Sequence, residues 1–266
     1  MVETFYRING APSVALIGDF HNGDPAPIIA SLTRRRPSLI CIPGDLVYWY
    51  IPETELFTES QQNVLPLLSA CVSLAPTFLS PGNHESILYD EDWALIRSTG
   101  VTVLDNAWTR ITVDGKEIAV GGLTSHRVIN RRAFRAFQRS SGLQDNAKEH
   151  WTRIRKPDLS WIEPVPEGFS ILLSHHPEYF PSLPFINLVL SCHAHGGQWR
   201  FFRRGLYAPG QGWFPKYTKG VYEEQLVVSA GLKNTASTPR LFNPTEIVYI
   251  NTNCECQSGK SESSPE

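Results

Sequence analysis

Seven side chains of metal-ligating type are scattered along the chain: Asp19, His21, Asp45, Asn83, His175, His193 and His195. Each is ordinary by itself. Asp-x-His arises by chance, a Gly-Asp pair is usually a turn, and Asn-His after a strand is usually a polar loop with a helix cap. His193-x-His195 says more, because alternate residues of an extended segment can face one ion. The Gly196-Gly197 pair after it allows close backbone approach. Together the seven exceed the roughly four to six donors that one such ion takes, so two ions sharing a bridge are expected. An aspartate in the middle of the set is the natural bridge, since each carboxylate oxygen can hold one ion. Imidazole with carboxylate suits manganese foremost, with iron, zinc, cobalt or nickel as alternatives, and disfavours calcium. Two divalent ions about 3.5–4 Å apart clamp an in-line displacement at phosphorus, with a bridging hydroxide as nucleophile. His84, next to Asn83, can then donate a proton or contact the phosphate.

What must position these groups is a set of strands. Val14–Gly18 ends in Asp19-Phe20-His21, and Leu39–Pro43 ends in Gly44-Asp45. Thr77–Leu79 ends in Gly82-Asn83-His84, with Gly82 permitting the turn. Ser170–Ser174 ends in His175-His176, and Leu188–Ser191 ends in Cys192-His193-Ala194-His195. Ligands of open α/β sheets bind in the crevice beyond the carboxyl ends of the strands, so five tips can converge on one site. Val101–Leu104, Ile118–Gly121, Leu226–Ser229 and Glu246–Ile250 are further apolar runs of strand length. Helical patterns lie between the early strands, at 25–36, 53–74 and 90–98. Runs rich in Val, Ile and Leu alternating with helices predict a sheet buried on both faces. The strand-rich second half predicts a mixed sheet or two sheets packed face to face.

The 266 residues suit one large α/β domain or two small ones. Charged residues are 19% and the net charge is −2, so no global field points to nucleic acid or a membrane. No run approaches the roughly 20 apolar residues of a membrane span, and Met1–Gly10 lacks a leader's basic and apolar regions. A soluble, cytoplasmic protein is expected. The five cysteines are odd in number and dispersed. Cys41, Cys71 and Cys192 read as reduced core residues, while Cys254 and Cys256 fall in a polar tail. A single domain over 1–253 and a disordered Ser/Glu-rich tail over 254–266 are predicted.

One stretch differs from the rest. Residues 127–156 hold nine cations (Arg127, Arg131, Arg132, Arg135, Arg139, Lys148, Arg153, Arg155, Lys156) against Asp145 and Glu149. Within this stretch, Arg131-Arg132-Ala-Phe134-Arg135-Ala-Phe137 has helical character. It reads either as a solvated helical face or as a basic insertion or lid that attracts an anionic substrate, with Arg127 and Arg131 as candidate contacts. Nucleic-acid binding rests on this stretch alone. Tyr48, Trp49 and Tyr50 read either as aromatic packing at a helix start or as a wall for a base or lipid. His176 doubles His175 and reads either as a supporting partner behind the ligands or as facing substrate.

The order Asp-x-His, Gly-Asp, Gly-Asn-His-Glu, His and His-x-His resembles the calcineurin-like metallophosphoesterase family over residues 19–250. His193-Ala-His195-Gly-Gly-Gln198 and Arg240-Leu-Phe242-Asn-Pro244-Thr-Glu246-Ile247 are similar to a small bacterial branch with a His-x-His-Gly-Gly-Gln signature. The resemblance implies a four-layer α/β/β/α sandwich of two mixed sheets flanked by helices. It implies that Asp19, His21 and His195 hold one ion and that Asn83, His175 and His193 hold another, with Asp45 bridging. His84 would stay off the metals and act at the phosphoryl group, so His84 and Asp45 are the catalytic candidates. Cys192 stands where relatives have Gly, and relatives more often have an acidic residue shortly after Asp45. Glu85 reads as a helix-start charge or a supporting partner rather than a ligand.

The expected activity is hydrolysis of a phosphodiester or pyrophosphate bond in a small nucleotide or lipid-linked substrate. A phosphomonoesterase or protein phosphatase is the alternative. A metal-binding regulatory or scaffold protein with little catalysis is the alternative of another class, but such relatives typically lose a ligand or the catalytic His, and all eight positions are present here.

Overall fold

The computed structural model describes residues 1–50, 54–125, 127–129, 152–154, 156–202, 204–209, 211–235 and 239–252. Two six-stranded sheets form its centre. The first runs Val2–Tyr6, Glu246–Ile250, Val14–Leu16, Leu39–Ile42, Thr77–Leu79, Thr102–Val103 across the sheet. The second runs Gly220–Tyr222, Leu226–Val228, Leu188–Ser191, Phe169–Ser174, Lys116–Leu123, Ala107–Val113. Both are mixed. Val14–Leu16, Leu39–Ile42 and Thr77–Leu79 are parallel neighbours, while Glu246–Ile250 is antiparallel to Val14–Leu16. In the second sheet, Lys116–Leu123, Phe169–Ser174, Leu188–Ser191 and Leu226–Val228 are parallel and the two edges antiparallel.

The period-two alternation of strands divides each apolar run between two cores. Val14, Leu16, Leu39, Cys41 and Phe78 face Ile171, Leu173, Leu188 and Leu190 between the sheets. Ala15, Ile17, Ile40, Ile42 and Leu79 point the other way. They lie under the helices Ala26–Arg35, Val64–Leu74 and Asp90–Ser98, through Ile28, Leu32, Leu67, Leu68, Cys71 and Ile96. Burial on both faces is why these strands carry no polar alternation. Leu172, Val189, Leu226 and Val228 form a third core with Ile162, Ile186 and Tyr217 on the outer face of the second sheet. Among the described residues that outer layer consists of 3₁₀ turns, such as Pro177–Ser182, and short hairpins rather than α-helix.

Three expectations are corrected. The helix expected over 53–74 is two helices, Phe57–Ser60 and Val64–Leu74. Between them Gln61 is buried, and its side chain both accepts from Tyr48 N and donates to Tyr48 O. Those tertiary bonds break the helical run. The hairpin Ala107–Val113/Lys116–Leu123 begins well before the strand expected at 118, joined by Asp114-Gly115. That dipeptide is a strong two-residue hairpin signal. The ends of the basic stretch are strands rather than helix: Arg127–Ile129 pairs antiparallel with Thr152–Ile154. The helical reading of 131–137 and the tail over 254–266 lie outside the described residues. No helix among the described residues is long and apolar enough to cross a membrane.

Candidate metal centre

The five strand tips do converge. Asp19 and His21 follow Val14–Leu16, Asp45 follows Leu39–Ile42, and Asn83 and His84 follow Thr77–Leu79. Phe169–Ser174 delivers His175 from the second sheet, and Leu188–Ser191 delivers His193 and His195. Asp19, His21, Asp45, His193 and His195 all hold positive φ, between 45° and 64°. Non-glycine residues visit this region rarely, and such conformations concentrate at functional sites.

His175 Nε2 is the focus of one half of the cluster. It lies 3.0 Å from Asn83 Oδ1, 3.1 Å from His193 Nδ1 and 3.2 Å from Asp45 Oδ2. Its Nδ1 faces the Pro43 carbonyl at 3.2 Å and Cys192 Sγ at 3.1 Å. A carbonyl only accepts, so Nδ1 carries the hydrogen and Nε2 turns its lone pair inward. The other half gathers Asp19, His21 and His195, whose donor atoms lie within 4.8 Å of one another. His21 Nδ1 donates to the Val47 carbonyl at 3.2 Å, which again aims Nε2 at the cluster. His195 Nδ1 is 3.7 Å from Asp19 Oδ2 and accepts from Arg240 Nη2 at 3.2 Å. Asp45 lies between the halves, with Oδ2 3.8 Å from both His21 Nε2 and His84 Nε2.

This donor set fits divalent cations. Among the described residues, Asp19 Oδ2 and His21 Nε2 are buried acceptors with no hydrogen-bond partner. Buried polar atoms are ordinarily satisfied, and a cation between them satisfies both. The protonation balance agrees at Asp45, His21, His193 and His195, and runs the other way at His175. Burial alone would raise Asp45, but His175, His84 and His21 hold its carboxyl well below the ordinary carboxylate range. Burial pushes His21 and His193 down, and His195 down to about 4. Neutral imidazole is the form that binds a metal. Burial also works to lower His175, yet the Asp45 carboxylate holds it well above its usual value.

Glu85 proves structural. Its Oε2 accepts from Asp45 N at 2.8 Å and Gly82 N at 2.7 Å, and its Oε1 accepts from Leu46 N at 2.7 Å and Val47 N at 3.1 Å. One carboxylate therefore ties the Asp45 loop to the Gly82–Asn83 loop of the neighbouring strand. Gly82 is required here by close approach rather than by φ: a Cβ would lie 2.5 Å from both Asp45 N and Asp45 Oδ1.

His84 and its neighbours form the rim. His84 N donates to Asp45 Oδ1 at 2.9 Å, and the His84 ring lies 4.6 Å from Trp49 and 6.2 Å from Tyr48. Tyr48 is 39% exposed, whereas Tyr50 is buried and donates to Asp92 Oδ2 at 2.6 Å. Of the three expected wall residues, Tyr48 and Trp49 flank His84 and Tyr50 belongs to the core. His176 is 1% exposed, with Nε2 2.6 Å from Ser125 Oγ and Nδ1 3.2 Å from Glu178 Oε1. It packs behind His193, ring to ring at 4.2 Å. Substrate contact by His176 is thus corrected: both of its nitrogens are engaged inside the protein. The Arg127–Ile129 backbone runs beside the His84–Ile87 turn, and Arg131 lies outside the described residues.

Sequence reading missed Lys233, whose Nζ donates to His21 O at 2.9 Å and lies 5.2 Å from the Tyr48 ring. It gave no role to Arg240, which ties His195 Nδ1 to the carbonyls of Ala230 and Lys233. The Arg-x-Phe-x-Pro pattern was a signal for Arg240. For Lys233 no local signal exists.

A two-sheet α/β fold with a buried cluster of Asp, His and Asn side chains at its strand tips defines a protein of the metal-dependent phosphatase type. The calcineurin-like phosphoesterase model matches residues 12–213, and the chain belongs to that family. F40B5.2 of Caenorhabditis elegans, named as a metallophosphoesterase, is 25% identical over 94% of this chain and 50% of its own length. The chain thus spans half of that relative. YpbG of Bacillus subtilis, a protein described as uncharacterised, is 23% identical over 77% of this chain and 70% of its own. Among solved structures, the calcineurin-like phosphoesterase YfkN of Bacillus subtilis aligns at 14% identity, with a TM-score of 0.49, over 83% of this chain and 81% of its own. A dimetal phosphatase of Danio rerio aligns at 10% identity, with a TM-score of 0.48, over 83% and 88%.

Proposed function

We propose that this protein is a dinuclear metal-dependent phosphoesterase hydrolysing a phosphodiester or pyrophosphate bond in a small nucleotide or lipid-linked substrate. The observation that carries this reading is the meeting of Asp45, Asn83 and His193 at 3.0–3.2 Å around His175 Nε2, beside a second group of Asp19, His21 and His195. In the proposal Asp19, His21 and His195 hold one ion, Asn83, His175 and His193 the other, and Asp45 both. Manganese is the first choice. Two divalent ions, when bound, supply Lewis acidity and a water deprotonated near neutrality.

The chain's own residues do the rest. The Val47 and Pro43 carbonyls fix the tautomers of His21 and His175, so their lone pairs are oriented before substrate arrives. Glu85 holds the Asp45 loop rigid, which spares reorganisation during reaction. His84, held by Asp45 Oδ1 through its backbone N–H, presents its ring at the rim to contact phosphoryl oxygens or to protonate the leaving oxygen. Tyr48, Trp49 and Lys233 border that rim and would meet the leaving group.

The test is a panel of phosphomonoesters, phosphodiesters, cyclic nucleotides and nucleotide pyrophosphates, assayed with added Mn²⁺. Turnover of diesters or pyrophosphates that is lost with a chelator and restored by Mn²⁺ is expected. Turnover of monoesters alone would shift the reading to a phosphomonoesterase. Full activity of the chelated, metal-stripped protein would overturn it.

A further inference from the structure

Directly after the His195–Gly197 turn the chain makes two small hairpins, Arg200–Phe201 with Arg204–Gly205 and Tyr207–Ala208 with Gly212–Trp213. Their side chains invert the usual surface rule. Phe202 is 100% exposed, Phe214 80%, Phe242 73% and Trp213 64%, with Phe201 and Leu241 also open. Phe201, Phe202 and Phe242 line one groove, and Trp199, Tyr207 and Trp213 form an aromatic cluster next to it. Trp213 stacks on Trp199 at 6.3 Å and meets Tyr207 at 5.6 Å. Trp199 pairs with Leu241, and Phe201 meets Phe242 at 5.8 Å. Scattered single apolar residues on a surface need no explanation, but a joined aromatic patch marks an interaction face.

Cations outnumber acids around the patch, with Arg200, Arg204, Lys216 and Lys219 against Glu223 and Glu246. No Asp or Glu occurs between Glu178 and Glu223, an interval that includes Arg200, Arg203, Arg204, Lys216 and Lys219. Arg200 and Lys219 line a groove of about 910 Å³ together with Phe201, Phe202, Val221 and Phe242. Lys219 is paired inward with Glu246 at 2.5 Å, and Lys216 faces Glu223 at 3.7 Å on the rim. Arg204 is exposed. Aromatic rings beside an excess of cations match the boundary of an anionic bilayer, where the rings enter the headgroup level and the cations meet lipid phosphate. A protein partner of ordinary composition would not require the absence of acids across the whole interval.

We propose that this face docks the protein peripherally on an anionic phospholipid surface. The face is fastened to the metal-bearing turn: Arg200 Nη1 donates to Gly196 O at 2.7 Å, and Leu206 N to Gly197 O at 3.1 Å. Docking there holds the candidate centre at the lipid boundary, which favours the lipid-linked member of the substrate class proposed above. The docking itself does not depend on that reading.

The test is co-sedimentation of the full chain with vesicles of phosphatidylcholine alone and of phosphatidylcholine mixed with phosphatidylglycerol. Binding to the mixed vesicles, weakened by salt, is expected. Phe202→Ser combined with Phe242→Ser, which remove two exposed rings of the same groove, should weaken it at least about tenfold, given the burial value of one phenyl ring. Arg204→Glu should weaken it about fivefold or more. Both variants alter exposed residues, so both should keep the parent's melting temperature and its rate on a soluble phosphodiester. Absence of binding to the mixed vesicles at low and high salt would overturn the proposal. So would a Phe double variant that binds like the parent. Sedimentation equilibrium adds a third arm: dimers in the parent that the Phe double variant lacks would assign the face to self-association instead. Vesicle binding by a protein without phosphoesterase activity would leave the docking intact and sink only the catalytic reading.

Discussion

The Glu85 carboxylate receives the backbone N–H of Asp45 at 2.8 Å, and the same oxygen receives that of Gly82 at 2.7 Å. Glu85 sits two residues beyond Asn83, yet it serves the loop of a neighbouring strand. The proposed bridging carboxylate is therefore placed by a second carboxylate outside the proposed ligand set. Burial, with Asp45 beside it, pushes Glu85 up to about 7 against the pull of its amide donors.

Removing that carboxylate strands four buried N–H groups at once. Glu85→Ala should cost about 3–5 kcal/mol of stability, since an orphaned buried donor costs roughly 1–3 kcal/mol and local relaxation recovers part. Glu85→Gln keeps the shape but points an NH₂ at two donors, so it should also destabilise. Thermal melting and metal content, measured together, check this. A Glu85→Ala protein with parent melting temperature and two bound ions would show that the carboxylate does not organise the loop.

The division of labour between ligands and His84 separates two phenotypes. Asp45→Asn and His193→Ala should lose bound metal and turnover together. His84→Ala should keep its metal while turnover falls about 100-fold or more, the usual worth of a positioned acid or phosphate contact. Elemental analysis beside steady-state kinetics distinguishes them. Loss of metal in His84→Ala would make His84 a ligand instead.

Gly231 gives a steric test of the Asp19 half. It holds φ +76°, and a Cβ there would lie 2.4 Å from Asp19 Oδ2. Gly231→Ala must therefore displace the Asp19 carboxylate. One of the two ions should be lost preferentially in titrations with Mn²⁺, with only a modest drop in melting temperature. Unchanged stoichiometry and affinity would remove Asp19 from the ligand set.

A pH dependence arises far from the site. Burial works to raise Glu3, but Ser31, Arg35 and Arg34 outweigh it and hold its pKa below the ordinary 4.5. Arg35 donates through Nε at 2.9 Å and through Nη2 at 2.6 Å. A depressed carboxylate stabilises the fold above its unfolded value and loses that contribution as pH falls through the folded one. Glu3→Gln should thus cost about 1 kcal/mol near pH 7 and converge with the parent as pH falls through Glu3's lowered folded-state pKa. Melting temperatures across that range decide it.

Much of the architecture was legible in the order of residues. Thr77–Leu79, Leu188–Ser191, Glu246–Ile250 and the helix Asp90–Ser98 fall where the apolar runs predict them, because burial on both faces leaves an unbroken hydrophobic signature. The position of the seven candidate side chains just beyond buried strands was legible too, since Asp, His and Asn there are poor choices for stability alone. What sequence could not supply was every relationship set by distance rather than order. Asp45 and Glu85 are 40 residues apart, and His21 and Lys233 are 212 apart. The inward turn of His176, the separation of Tyr50 from Tyr48 and Trp49, and the joining of Phe201 to Phe242 are likewise products of packing. Residue type and period fix which groups are available and which face of an element is buried. Only the closing of two sheets on one another decides which lone pairs meet.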